Sequence, residues 1–121
     1  MAAPNIVNIT SIVGNTATLN VNTIAANIIV NAAGSNQVYK VNTVTIANID
    51  NANTYNATVS LLRGGINNFI AANVAIPYNA TLVLVSKDTS MYVAEGDAIS
   101  VRGGPNSNGK LWAISSYEVL S

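Results

Sequence analysis

Thr16-Ala17-Thr18-Leu19-Asn20-Val21-Asn22 decides the fold class: apolar side chains stand at every second position, with hydroxyls and amides between them. Successive side chains of a strand point to opposite faces, so a period of two marks a strand with one buried face and one wetted face. Tyr55, Ala57, Val59 and Leu61 repeat the pattern against Asn56, Thr58 and Ser60. Further strands are expected at residues 5–13, 27–31, 37–47, 68–76, 80–87, 90–94, 97–103 and 110–119, which are rich in β-branched residues and tyrosine. No stretch of ten or more residues carries an apolar repeat at 3.6. In residues 24–30 the β-branched side chains favour strand over a helical turn.

Turn chemistry divides these runs. Breaks are expected at Val13-Gly14-Asn15, Ala33-Gly34-Ser35-Asn36 and Asp50-Asn51-Ala52-Asn53. Gly and Asn tolerate positive φ there, and Asp and Asn side chains mimic a backbone turn. Asn108-Gly109, between the runs ending at Gly103 and starting at Lys110, is a hairpin signal. Eight to ten short, mainly antiparallel strands at this spacing read as an all-β, single-domain β-sandwich, jelly-roll or Ig-like. No linker or shift of composition divides residues 1–121, so one domain is expected. Residues 1–5 have few anchors and are expected to form a mobile arm that orders on a neighbour.

Composition narrows the function. The 121 residues hold five acids, five bases, no histidine and no cysteine, but nineteen asparagines. Half are apolar, enough for a core without disulfides or a metal. Charged residues make up 8%, against about 25% in ordinary globular chains. Lys40, Arg63, Lys87, Arg102 and Lys110 are too few for phosphate neutralisation, so neither nucleic acid nor an anionic membrane is an expected partner. The longest apolar runs fall far short of a bilayer span of about 20 residues. Met1-Ala2-Ala3-Pro4-Asn5 lacks the basic start of a secretory signal, so synthesis in the cytoplasm is expected. A neutral, charge-poor surface favours association. A primary amide, having no charge to desolvate, suits a subunit contact.

The candidate motifs read as structure. Arg63-Gly64-Gly65 and Arg102-Gly103-Gly104 resemble RNA-binding repeats but end strands in a neutral chain. Asn8, Asn56 and Asn79 open glycosylation sequons at the frequency that chance supplies. Glu95-Gly96-Asp97 is the densest carboxylate pair; the glycine and flanking strands make it a corner rather than an acid–base dyad. Asp50, Asn51 and Asn53 with Asp88 or Glu95 have oxygen ligands for calcium, but their spacing matches no calcium loop and turn formation is the preferred reading. Serine catalysis lacks a histidine base, and zinc or haem lacks its usual ligands. The aromatics Tyr39, Tyr55, Phe69, Tyr78, Tyr92, Trp112 and Tyr117 are spread along the strands; packing and interface anchoring are expected of them, a sugar-binding platform being the alternative. No catalytic residue, metal ligand or cofactor is assigned, and no enzyme is expected.

From residue 38 onward the chain resembles small β-sandwich virion proteins of tailed bacteriophages, especially those of cyanobacteria and other marine bacteria. The stretches that carry the likeness are Val38-Tyr39-Lys40-Val41-Asn42, Ala47-Asn48-Ile49-Asp50, Val59-Ser60-Leu61, Ile76-Pro77, Thr81-Leu82-Val83-Leu84 with Lys87, the run from Met91 to Val101, and Ser115-Ser116-Tyr117-Glu118. The resemblance covers about two-thirds of the chain. It implies a non-enzymatic subunit of a virion, made in the host cytoplasm, its partners being copies of itself (a trimer or dimer) and the major capsid protein or other virion proteins. Capsid decoration or cement is the expected role; a neck, tail or baseplate part, or a carbohydrate-binding module, is the alternative.

Overall fold

The alternation at Ala17, Leu19 and Val21 is realised in a strand whose odd positions face the core. The computed structural model describes residues 10–86 and 89–121. It contains β1 (Ile12–Val21), β2 (Ala26–Val30), β3 (Val38–Asn48), β4 (Tyr55–Arg63), β5 (Ile66–Ile76), β6 (Thr81–Val85), β7 (Met91–Val93), β8 (Ala98–Gly103) and β9 (Leu111–Leu120). One sheet runs β1-β9-β3-β6, with β7 also paired to β3; the other runs β2-β8-β4-β5. Every pairing is antiparallel.

The partnerships β1 with β9, β2 with β8, β3 with β6 and β4 with β5 nest inside one another. The chain is thus a long double strand rolled into two facing sheets, the jelly-roll form of the expected sandwich. Val21, Val44, Ile46, Leu111 and Ala113 of the first sheet face Ile29, Ala57, Val59, Ile99 and Val101 of the second in one cluster. Burying each Val, Ile or Leu contributes about 1.5–3 kcal/mol relative to exposure. Among the described residues no helix is long and apolar enough to cross a membrane.

Two expectations need correction. The break at Val13-Gly14-Asn15 is absent: β1 pairs with β9 without interruption from Ile12↔Leu120 to Val21↔Leu111. Glycine and asparagine are tolerated there because β1 is an edge strand with most of its residues exposed, so little packing is lost. Of the expected strand at residues 5–13, positions 12 and 13 belong to β1, while residues 5–9 and the arm at residues 1–5 lie outside the described residues. Asn108-Gly109 does not close a hairpin, because β8 and β9 lie in different sheets. Gly109 (φ 79°) supplies the tight turn, closed by the Lys110 N–H donating to the Ser107 carbonyl at 2.9 Å. Whether the flanking strands pair is decided by which sheet buries them, not by the turn. The two-residue hairpin is Gly64-Gly65, with φ of 60° and 76°, the type I′ geometry joining β4 to β5. Two asparagines lie inside strands, as the expected spans place them, at register shifts. Asn42 falls between Val41 and Thr43 of β3, and Asn73 (φ 49°) sits in an irregular part of β5.

Candidate interaction surfaces

The outer face of the first sheet is assembled by its registers. Asn20, Trp112, Ala47 and Thr81 form one cross-strand row, and Thr18, Ile114, Thr45 and Val83 form the next. Thr16, Ser116 and Thr43 make a third. Trp112, Ile114 and Val83 are 42%, 46% and 59% exposed. None of these residues is charged. The fourth row brings in charge: Glu118 faces Lys40, flanked by Gly14 and Tyr92. Three rows of hydroxyls, amides and apolar side chains thus form a patch with nothing ionic to strip of water on docking.

Two polar knots tie the ends of the sandwich. At one end the fully buried Asn31 donates from Nδ2 to the Gln37 carbonyl at 2.9 Å and the Val93 carbonyl at 3.0 Å, while Oδ1 accepts from Ser35 Oγ at 2.6 Å. Glu95-Gly96-Asp97 joins this knot as the expected corner, with Gly96 at φ 83°. Asp97 Oδ2 accepts from Arg63 Nε at 2.9 Å, Arg63 Nη2 at 2.6 Å and the Ala94 N–H at 3.2 Å. Glu95 Oε2 accepts from the Gly34 N–H at 3.0 Å. One oxygen of each carboxylate is therefore engaged in holding loops together. The hydrogen bonds to Asp97, then its charge, raise the Arg63 pKa above its ordinary value.

At the other end Asn48 Nδ2 donates to the Asn53 and Ile76 carbonyls, both at 2.9 Å, and its Oδ1 accepts from the Asp50 N–H at 3.0 Å. Asp50 in turn accepts from the Ala52 N–H at 2.9 Å, the Tyr55 hydroxyl at 2.9 Å and Asn53 Nδ2 at 3.3 Å, with Lys110 Nζ 4.0 Å away. Asp50 and Glu95 lie near opposite ends of β3, so the calcium set with Glu95 does not come together; Asp88, its alternative, lies outside the described residues. Among the described residues no cluster of three His, Cys, Asp or Glu could hold a metal ion.

The Ala52 N–H foremost, then the Tyr55 hydroxyl, the Asn53 amide and Lys110, hold the Asp50 carboxyl at about 2, below its ordinary 3.8, against an opposing push from burial. The Tyr55 phenol is raised above its ordinary 10.0 because its proton is held by Asp50. A depressed carboxylate stabilises the fold above its unfolded pKa, and that contribution is lost as pH falls through the folded one. The difference in urea midpoint between the parent chain and Asp50→Asn is therefore expected to stay constant from neutral pH down to about 5 and to shrink between about 4 and 2. A difference that stays constant through the acid range would refute this reading of the knot.

The second sheet presents a shallow depression of about 110 Å³ on its outer face, lined by Thr58, Ser60, Ser100, Asn67, Phe69 and Arg102. A neighbouring hollow of about 260 Å³ shares Arg102. Both are smaller than the roughly 300–1,000 Å³ of ordinary small-molecule pockets. Tyr39 and Tyr117 stack against each other, centroids 5.3 Å apart, and pack on the core. The exposed rings fall on separate surfaces: Trp112 and Tyr92 toward opposite ends of the first sheet, Phe69 on the second, Tyr78 in the loop after β5. They do not make one stacking platform.

No protein-family model and no curated protein matches the chain. Among solved structures it is similar to a chain in the acid-stable capsid of Helicobacter pylori bacteriophage KHP30, at 8% identity and a TM-score of 0.57, over 93% of this chain and 90% of that one. It is also similar to a chain of the Bacillus endospore appendages, a family of disulfide-linked pili, at 14% identity and a TM-score of 0.49, over 100% and 96%. At these identities the capsid likeness is one of fold: the same class of β-sandwich occurs in a phage capsid.

Proposed function

We propose that the chain is a structural protein of a tailed-phage virion, a capsid decoration or cement protein that stabilises the head through many weak contacts made at once. The observation that carries this reading is the uncharged outer face of the first sheet, where Trp112, Ile114 and Val83 stand among hydroxyls. Its support is threefold: the capsid chain with a similar fold, the resemblance of residues 38–118 to phage virion proteins, and a composition poor in catalytic and ligating side chains. An aromatic anchor that becomes fully desolvated near the middle of a contact is a frequent centre of binding energy at a protein interface. Repetition on a lattice then turns a modest single contact into a lasting one.

The test is a titration of particles lacking this subunit with the purified protein at rising salt. Screening acts on charges, so occupancy is expected to be nearly unchanged from about 0.1 to about 1 M. Trp112→Ala is expected to weaken binding by at least about 2 kcal/mol, roughly thirtyfold. A steep loss with salt, or full binding by the variant, would overturn this mechanism. Copy number places the station: hundreds per particle mark head decoration, whereas a handful mark the neck, tail or baseplate.

A further inference from the structure

Among the described residues the outer edge of β1 is unpaired, and it is built unlike any other edge of the sandwich. Ser11 and Ser121 exchange both backbone hydrogen bonds, each at 3.0 Å, which sets the phase of the ladder: odd-numbered residues of β1 bond to β9. Even-numbered residues therefore turn their N–H and C=O groups away from it. Thr16 agrees with this phase, since its N–H is bonded by the neighbouring Asn15 Oδ1 at 2.9 Å. Ile12, Gly14, Thr16, Thr18 and Asn20 thus line an edge on which no described strand lies.

Natural sheets blunt such edges with charge, proline, a bulge or brevity. β1 has none of these: ten residues, no charged residue, no proline and no register shift. The other outer strands are all blunted. β2 has five residues and a shift, β6 five residues and a shift against β3, β7 three residues, and β5 two shifts with Asn73 at positive φ.

We propose that this edge is a strand-pairing interface for a second copy of the same chain, β1 against β1 in antiparallel fashion about a twofold axis. The occupant follows from the match, because within the described chain a long unbroken ladder finds an equal only in itself. The axis also brings no like charges together. With Thr16 on the axis, Gly14 faces Thr18 and Ile12 faces Asn20 of the second copy. That register forms about ten backbone hydrogen bonds and runs the first sheet continuously through both subunits. It sets Val13, 55% exposed in one chain, opposite Leu19 of the other. Asn15 guards the edge: its amide bonds the Thr16 N–H and is tethered through Nδ2 to Tyr117 Oη at 3.1 Å, so pairing must displace it. The inference does not depend on the virion reading.

The purified chain decides it by sedimentation equilibrium at high micromolar concentration together with amide hydrogen exchange. The expected result is twice the 12.5 kDa chain mass, with slow exchange at the Thr16, Thr18 and Asn20 amides. Thr18→Pro removes an outward N–H and leaves the ladder to β9 intact; Thr16→Lys sets two ammonium groups opposite each other on the axis. Either variant is expected to stay folded by circular dichroism and sediment as a monomer, with that protection lost. The proposal is overturned by a parent chain that is monomeric, by an oligomer whose even-numbered β1 amides exchange freely, or by a dimer that survives both variants with its protection unchanged.

Discussion

Replacing Asn31 by leucine is expected to lower the stability of the sandwich by about 3 kcal/mol, although leucine is apolar, similar in size and placed where no water reaches. The side chain is fully buried and satisfies three groups at once: the Gln37 and Val93 carbonyls and the Ser35 hydroxyl. Leucine returns none of these bonds. A buried polar group left without a partner costs about 1–3 kcal/mol, and the Val93 carbonyl lies in the buried part of the knot. The gain from burying a more apolar side chain offsets part of that loss. Asn48→Leu should cost a similar amount, for it strands the Asn53 and Ile76 carbonyls and the Asp50 N–H. The knots lie at opposite ends and share no partner, so the double variant should lose the sum to within about 0.5 kcal/mol. Urea unfolding of the four proteins measures this. Losses under about 1 kcal/mol would mean that solvent replaces the lost donors, and that the knots are not the ties described.

The strands were legible in the sequence because a period of two survives any tertiary arrangement. Eight of the nine come within a few residues of their expected positions, and β1 differs only because an edge strand tolerates Gly14 and Asn15. What the local pattern could not give was the assignment of strands to sheets, which is why Asn108-Gly109 read as a hairpin. Nor could it give the sidedness of β9. On hydrophobicity alone Trp112 and Ile114 belong inside and Ala113 and Ser115 outside, yet the structure reverses this. β9 is a middle strand, and inside the sandwich Ala113 lies between Leu19 and Ile46, and Ser115 beside Val44, whose bulk leaves room only for small side chains. The Ser115 hydroxyl is satisfied by the Thr43 carbonyl at 2.9 Å. The scarcity of charge was visible from composition, but its clearing from three whole rows of one face needed the registers. Asn31 and Asn48 looked like two asparagines among nineteen, since nothing near them in sequence marks a buried carbonyl acceptor on a distant strand.

That reversal sets up the second large effect. Ile46→Ala is expected to cost about 2–5 kcal/mol, from lost burial and from the cavity left between sheets that cannot close fully around it. Ile46 is fully buried in the shared cluster, opposite Ala113, so no larger neighbour on that strand can swing in to fill the space. Ile114→Ala, one position along β9 on the opposite face, removes the same atoms from a side chain that is 46% exposed and should change stability by under about 1 kcal/mol. Thermal unfolding of the two variants at one pH separates them. If instead Ile114→Ala were the costly change, its side chain would belong to the fold and the patch would lose its standing as a docking face. A large cost at Ile46 beside a small one at Ile114 would show that the fold does not rely on the Ile114 side chain, as the proposed docking role of that face requires.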